Sequence, residues 1–261
     1  MLQFTANLSL LFTELALIDR FKAAKECGFN AVEIQFPYAL PAEQIKQALD
    51  QQQLKLVLFN VDADDLLQGG EGLAAVPEKQ QQFIQALQQS KAYAEILRPE
   101  AINILPGRCL IDPARKAEYL STFSNNLSLA VDSFSHLNIK TVFEAINTDD
   151  MPGFIVSSAQ QMLDILRQIN HPQLLMQYDI YHMHKMGEDI APFISRYNDK
   201  IGHIQFADNP GRGQPGTGSI NFEPIFKAIA QSSYAGWVGA EYNPQGSTER
   251  SLDWLTTKKE Q

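Results

Sequence analysis

Short runs of apolar and β-branched residues alternate along the chain with longer amphipathic segments. The short runs are LQFTA (2–6), AVEIQF (31–36), LKLVLFN (54–60), AINILP (101–106), IKTVFEA (139–145), LLMQYDI (174–180), KIGHIQFA (200–207) and GWVGAEY (236–242). Each has the length and composition of a buried strand. Between them lie segments of helical character, among them LIDRFKAAKECG (17–28), AEQIKQALDQQQ (42–53), EKQQQFIQALQQSKAYAEIL (78–97) and EYLSTFSNNLSLAVDSFSHL (118–137). Gly28 is the expected C-terminal cap of the first. Eight strands, each followed by a helical segment, divide 261 residues into units of about 33, the size of one βα repeat in a TIM barrel. The pattern predicts an α/β fold, a single (β/α)8 TIM-barrel domain over residues 1–261. An open doubly wound sheet is the alternative, and eight units in a chain of this length favour closure.

Composition narrows the class of partner. Hydrophobic residues make up 44% of the chain, enough for one sizeable core. The net charge is −9 with a pI near 5.0, and no Lys/Arg run stands out, which disfavours nucleic acid and anionic membrane surfaces. Any anionic substrate therefore needs a locally positive site. The two cysteines, Cys27 and Cys109, form no C-x-x-C pair and read as reduced thiols. The start MLQFTANLSL lacks a basic signal-peptide n-region, and no apolar run reaches about 18 residues. The expectation is a soluble, cytoplasmic protein with no membrane partner. The oligomeric state is left open, a homo-oligomer included.

Catalytic groups of a (β/α)8 barrel sit at the C-terminal ends of its strands. The fifth predicted strand ends in Glu144 (TVFEAIN), the sixth in Asp179 (MQYDIY), the seventh in Gln205 (GHIQFAD) and the eighth in Glu241 (VGAEYNP). They are spaced by 35, 26 and 36 residues, about one βα unit each. Four oxygen-bearing groups would meet at one rim, and three carboxylates confined together repel unless a cation neutralises them. An all-oxygen set suits Mg²⁺ or Mn²⁺ better than zinc, so Glu144, Asp179, Gln205 and Glu241 are the candidate metal ligands. The plainer reading is that each acid caps the helix after its strand.

His203 lies two residues before Gln205, on the same face and deeper in the barrel, where it supports or packs rather than ligates. His182 follows Asp179 by three residues and is placed to donate a hydrogen bond to a substrate oxygen; His184 reads as surface. The loop ADNPGRGQPGTGSINF (207–222) matches G-x-G-x-x-G at Gly211, Gly213 and Gly216. Pro215 interrupts the turn and no helix opens directly after Gly216, which excludes a dinucleotide site. The loop reads instead as a flexible carrier of Arg212, whose planar fork suits a substrate carboxylate.

The segments EAIN, QYDIYHM, KIGHIQFADNPGRGQPGTGSIN and GWVGAEYNPQGSTE, with FTANLSLLFTE, GFNAVEIQFPY and GGEGLAA earlier in the chain, resemble the hydroxypyruvate isomerase family of the xylose-isomerase-like TIM-barrel superfamily. The resemblance spans essentially the whole chain. It implies a divalent metal held by Glu144, Asp179, Gln205 and Glu241. It also implies that Glu144 and Glu241 are the paired acid/base residues, and that the substrate is a small oxo acid. Sugar epimerases of the superfamily usually carry His where this chain has Gln205, a departure that fits the hydroxypyruvate branch. The implied reaction interconverts hydroxypyruvate and tartronate semialdehyde through an enediolate. A sister group, the 2-oxo-tetronate isomerases, and related keto-sugar epimerases are the alternatives. An endonuclease IV-like nuclease would need many His ligands and a basic surface, against five His and a net charge of −9. A non-catalytic barrel binding a sugar acid would not need acids at both Glu144 and Glu241.

Overall fold

A computed structural model describes residues 2–257. Eight parallel strands, β1 (Gln3–Asn7), β2 (Ala31–Ile34), β3 (Lys55–Asn60), β4 (Ala101–Asn103), β5 (Lys140–Glu144), β6 (Leu174–Asp179), β7 (Ile201–Phe206) and β8 (Trp237–Ala240), form a closed barrel in sequence order. β2 to β8 each lie inside one of the runs expected from the sequence, and β1 runs one residue past its own, to Asn7. The barrel is closed, not an open sheet. Closure comes from β1 and β8, paired in register from Gln3↔Trp237 to Ala6↔Ala240. Glu241 falls one residue beyond β8, yet its amide still donates to the Phe206 carbonyl at 3.1 Å. Gln205 is followed by one more strand residue, Phe206.

The helices are α1 (Leu17–Glu26), α2 (Ala42–Gln52), α3 (Gln80–Leu97), α4 (Lys116–Ser135), α5 (Ala159–Ile169), α6 (Ile180–Lys185), α7 (Ile190–Tyr197), α8 (Phe222–Gln231) and α9 (Asp253–Thr257). Helix α1 stops as expected, with Gly28 just after it at φ +88°. Helix α4 begins two residues earlier than its pattern suggested, on the turn Pro113–Arg115. Ser158 caps α5 through its side chain. Among the described residues no helix is long and apolar enough to cross a membrane.

Alternation along the strands sorts the chain into two compartments. Residues such as Phe21, Phe83, Phe123, Phe143 and Phe206 belong to the large core between strands and helices. Ala31, Val57, Leu58, Ala101, Val142 and Trp237, packed with Leu175, form a separate small cluster. Two residues further along β2, β4, β5 and β6 the same inward face carries Glu33, Asn103, Glu144 and Gln177, all buried. The barrel interior is thus apolar where the strands begin and polar where they end, which concentrates the chemistry at one rim.

Candidate active site

Glu144, Asp179, Gln205 and Glu241 are each at most 6% exposed. Glu144, Gln205 and Glu241 share one hydrogen-bonded network, which Arg212 links to Asp179 by an ion pair. Gln177 Nε2 donates to Glu144 Oε2 and to Gln205 Oε1, both at 2.6 Å. Gln205 Nε2 donates to Glu241 Oε1 at 3.2 Å and to Glu33 Oε1 at 2.7 Å. Asn7 and Gln35 also donate to Glu241 Oε1, at 2.9 and 3.0 Å. Arg212, from the loop after β7, donates to Glu241 Oε2 and lies 3.7 Å from Asp179 Oδ2. Its guanidinium also stacks 5.3 Å from the Tyr181 ring.

Asp179 answers to both readings of its position. One oxygen caps α6, accepting from the Tyr181 amide at 2.8 Å. The other, Oδ2, is buried without a hydrogen-bond donor, and Arg212 and His182 Nε2 (3.5 Å) are the cation and ring nearest to it.

His182 is buried, at 3% exposure, and not a surface histidine. Burial and the Arg212 charge push its pKa well below the usual value, so the ring is neutral. Asn147 Nδ2 lies 2.6 Å from Nδ1 and also donates to Asp150 Oδ2 at 2.9 Å. Nδ1 therefore accepts, the ring proton sits on Nε2, and His182 is a hydrogen-bond donor at the cavity wall. Tyr181 and Lys185 hold Asp150 from the other side.

Burial raises the pKa values of Glu144 and Glu241, and neighbouring carboxylates add to it: Glu241 and Asp179 act on Glu144, and Glu33 on Glu241. Four side chains donate to Glu241 and Gln177 alone to Glu144, so of the pair Glu144 holds a proton more firmly. Arg212 is the cation that offsets this cluster, with Glu241, Asp179 and Glu144 keeping its guanidinium charged.

Beneath the rim lies a carboxylate the strand-end pattern did not single out. Glu33, at 0% exposure, accepts from Asn7 Nδ2 (3.1 Å) and Gln205 Nε2, and lies 2.6 Å from His203 Nε2. His203 thus supports the site from below, as expected of it. A Cβ at Gly239 would fall 2.7 Å from both Glu33 oxygens, so only glycine on β8 leaves room for this carboxylate. Glu33, Gln177, Asn7, Gln35 and Asn147 complete the constellation.

The cavity has a volume of about 120 Å³ and is lined by Glu144, Asp150, Gln177, His182, Arg212 and Glu241 on its polar side. Phe36, Leu67, Leu105, Ile146 and Met151 line the other side. Asp179 and Gln205 lie outside this lining. A larger cleft of about 670 Å³, near Arg167, His171 and Lys200, contains none of the site's carboxylates and is set aside on chemical grounds.

The donor set suits a hard divalent cation: three buried carboxylates, an amide, and one carboxylate oxygen with no donor of its own. Among the described residues, no three Asp, Glu, His or Cys groups already surround a common point. Arg212 stands between Glu241 and Asp179, and Gln205 turns its nitrogen toward Glu241. Ligation would move the guanidinium aside and turn the amide.

A closed parallel barrel with carboxylates and an arginine converging at the C-terminal ends of its strands defines an enzyme of the TIM-barrel class. Residues 21–258 match the model of the xylose isomerase-like TIM barrel family. The hydroxypyruvate isomerase of Escherichia coli K12 is 39% identical over 257 residues, 98% of each chain. The 2-oxo-tetronate isomerase of Pectobacterium atrosepticum is 34% identical over 97% of this chain and 96% of that one. A crystal structure described as AP endonuclease, family 2, from Brucella melitensis superposes with a TM-score of 0.93 at 33% identity, covering 98% and 99% of the two chains. The chain belongs to the xylose isomerase-like TIM barrel family and is an isomerase of it.

Proposed function

We propose that the protein interconverts hydroxypyruvate and tartronate semialdehyde by moving a carbonyl between adjacent carbons. The observation that carries this reading is the pair Glu144 and Glu241, both buried and both lining one cavity of about 120 Å³. Such a cavity is well below the roughly 300–1,000 Å³ of sites for drug-sized ligands and suits a small acid. The net charge of −9 would repel a nucleic-acid segment.

In this reading one glutamate removes the carbon-bound proton α to the carbonyl, and it is returned at the neighbouring carbon through an enediolate. The other glutamate carries the hydroxyl proton from the oxygen that becomes the carbonyl to the oxygen that becomes the hydroxyl, so that neither glutamate gains or loses a proton over the cycle. Positioned acid–base groups of this kind contribute about 10²–10⁴-fold. His182 donates from Nε2 to a substrate oxygen. Arg212 exchanges its contact with Glu241 for the substrate carboxylate. The apolar wall of Phe36, Leu105 and Ile146 excludes water from the carbanionic carbon. Glu144, Asp179, Gln205 and Glu241 would hold Mg²⁺ or Mn²⁺, which would supply Lewis-acid stabilisation of negative charge on the substrate oxygens. The reaction is redox-neutral within one substrate and needs no organic cofactor.

The four-carbon 2-oxo-tetronates are the second substrate class, favoured by the 34% identity to an isomerase of that name. Metal-stripped protein given each acid, with Mg²⁺ or Mn²⁺ restored, separates them. Faster turnover of hydroxypyruvate supports the proposal. Turnover of the tetronate alone would replace it, and turnover of neither would remove both.

A further inference from the structure

Asp208 is a buried carboxylate that the chemistry above does not use. It follows β7 and is 0% exposed, yet no cationic side chain pairs with it among the described residues. Its acceptors are filled by the backbone of its own loop. Oδ1 accepts from the amides of Asn209 (2.8 Å) and Ile220 (3.0 Å), and Oδ2 from those of Gly216 (2.9 Å) and Gly218 (2.8 Å). The Asp208 amide in turn donates to the Gly213 carbonyl at 2.8 Å, and the Ser219 amide to the Asn209 carbonyl at 2.7 Å. The segment from 209 to 220 is therefore wound around one side chain. This is the loop expected from its glycines to be flexible; instead it is pinned.

At the crest of that winding stands Arg212, in the left-handed region at φ +52°, a conformation that non-glycine residues adopt only when their surroundings hold them there. Its carbonyl accepts from the Asn243 amide at 2.7 Å, and its guanidinium enters the carboxylate cluster. The packing leaves no slack. A Cβ on Gly218 would lie 2.3 Å from the Asn209 carbonyl oxygen and 2.5 Å from Asp208 Oδ1.

We propose that Asp208 is the positioning residue for Arg212: its carboxylate sets the shape of the loop that delivers the guanidinium to the cavity. That Arg212 then governs affinity for an oxo acid rests on the function proposed above. An ionised carboxylate is acceptor-only and can take all four amides; a carboxamide offers one oxygen and turns an N–H₂ against two N–H donors. Asp208→Asn should therefore release the loop with little change of volume.

The test compares wild type, Asp208→Asn, Gly218→Ala, Arg212→Ala and the double variant Asp208→Asn/Arg212→Ala. With hydroxypyruvate, KM should rise about tenfold in Asp208→Asn, the scale of one lost charge-assisted contact, while kcat changes much less. Gly218→Ala, which keeps the carboxylate, should move KM in the same direction. In the Arg212→Ala background the Asp208 substitution should add nothing, because both act through one guanidinium. Amide hydrogen exchange at Asn209, Gly216, Gly218 and Ile220 should accelerate in Asp208→Asn while the barrel strands stay protected. The NMR signal of the Arg212 side-chain Nε–H should shift with it. An unshifted Arg212 signal in Asp208→Asn, or fully additive KM effects in the double variant, overturns the proposal. If wild type acts on neither oxo acid but the Arg212 signal shifts in Asp208→Asn, the substrate reading falls and the positioning role stands.

Discussion

Arg212 donates to Glu241 across the mouth of the barrel, and the same guanidinium lies 3.7 Å from Asp179. One side chain thus contacts both a proposed acid/base residue and a proposed metal ligand. Arg212→Lys keeps the charge and loses the planar fork. KM for the oxo acid should rise about tenfold, on the scale of a lost charge-assisted hydrogen bond. Steady-state kinetics identical to wild type would reduce Arg212 to a counter-ion.

Glu144 and Glu241 stand at different strands around one cavity, which motivates a proton-transfer role for both. Glu144→Gln and Glu241→Gln preserve size and one oxygen but remove the base. Isomerisation should fall by about 10²–10⁴-fold, and excess Mn²⁺ should not restore it. Solvent deuterium should label the carbon-bound position of substrate in wild type and not in these variants. Full exchange and turnover in both variants would assign proton transfer to other residues.

The bare oxygen of Asp179 motivates a metal prediction that does not depend on turnover. Asp179→Ala should weaken Mn²⁺ binding, read by calorimetry on the stripped protein, since two glutamates and an amide remain. It should also remove the cap of α6, a loss of about 1 kcal/mol, visible as a lower Tm. A variant with wild-type metal affinity would exclude Asp179 from the ligand set.

Asp150 gives a pH dependence with a definite sign. Burial opposes its ionisation, but hydrogen bonds from Lys185, Asn147 and Tyr181 outweigh this and hold the carboxyl at about 2, against an ordinary 3.8. In that interval the unfolded chain binds more protons, so stability rises with pH. The contribution is complete above about 3.8 and is lost as pH falls through about 2. The urea midpoint of wild type minus that of Asp150→Asn should be constant above about pH 5 and shrink toward pH 2. A difference independent of pH would mean that the Asp150 charge does not stabilise the fold.

The strands and the four rim residues are legible because Glu144, Asp179, Gln205 and Glu241 are polar groups within two residues of the end of an apolar run. Glu33 and Gln177 stand deeper inside their runs, where the strand-end pattern does not mark them. The signal was spacing by two, as in Glu33/Gln35, Gln177/Asp179 and His203/Gln205, which puts two polar groups on one inward face. Asn147 and Asp208 carried no periodic signal. Their roles come from irregular loops whose shape depends on contacts such as Asp208 to Ile220, and glycine content alone suggested looseness where those contacts impose order. The tautomer of His182 likewise depends on a partner 35 positions away, Asn147.

The pairing of β1 with β8 also governs how the protein is made. On a ribosome, β1 can pair with β2 early, but the partner for its other edge is synthesised only at Trp237–Ala240. Until then the nascent sheet exposes two open edges, the kind of surface that recruits chaperones or other nascent chains. Glu241 is encoded immediately behind the closing strand, so the proposed acid/base pair is complete only in a chain that also carries β8. A product of termination before β8 would keep both sheet edges open and lack Glu241 together with the strand that closes the barrel.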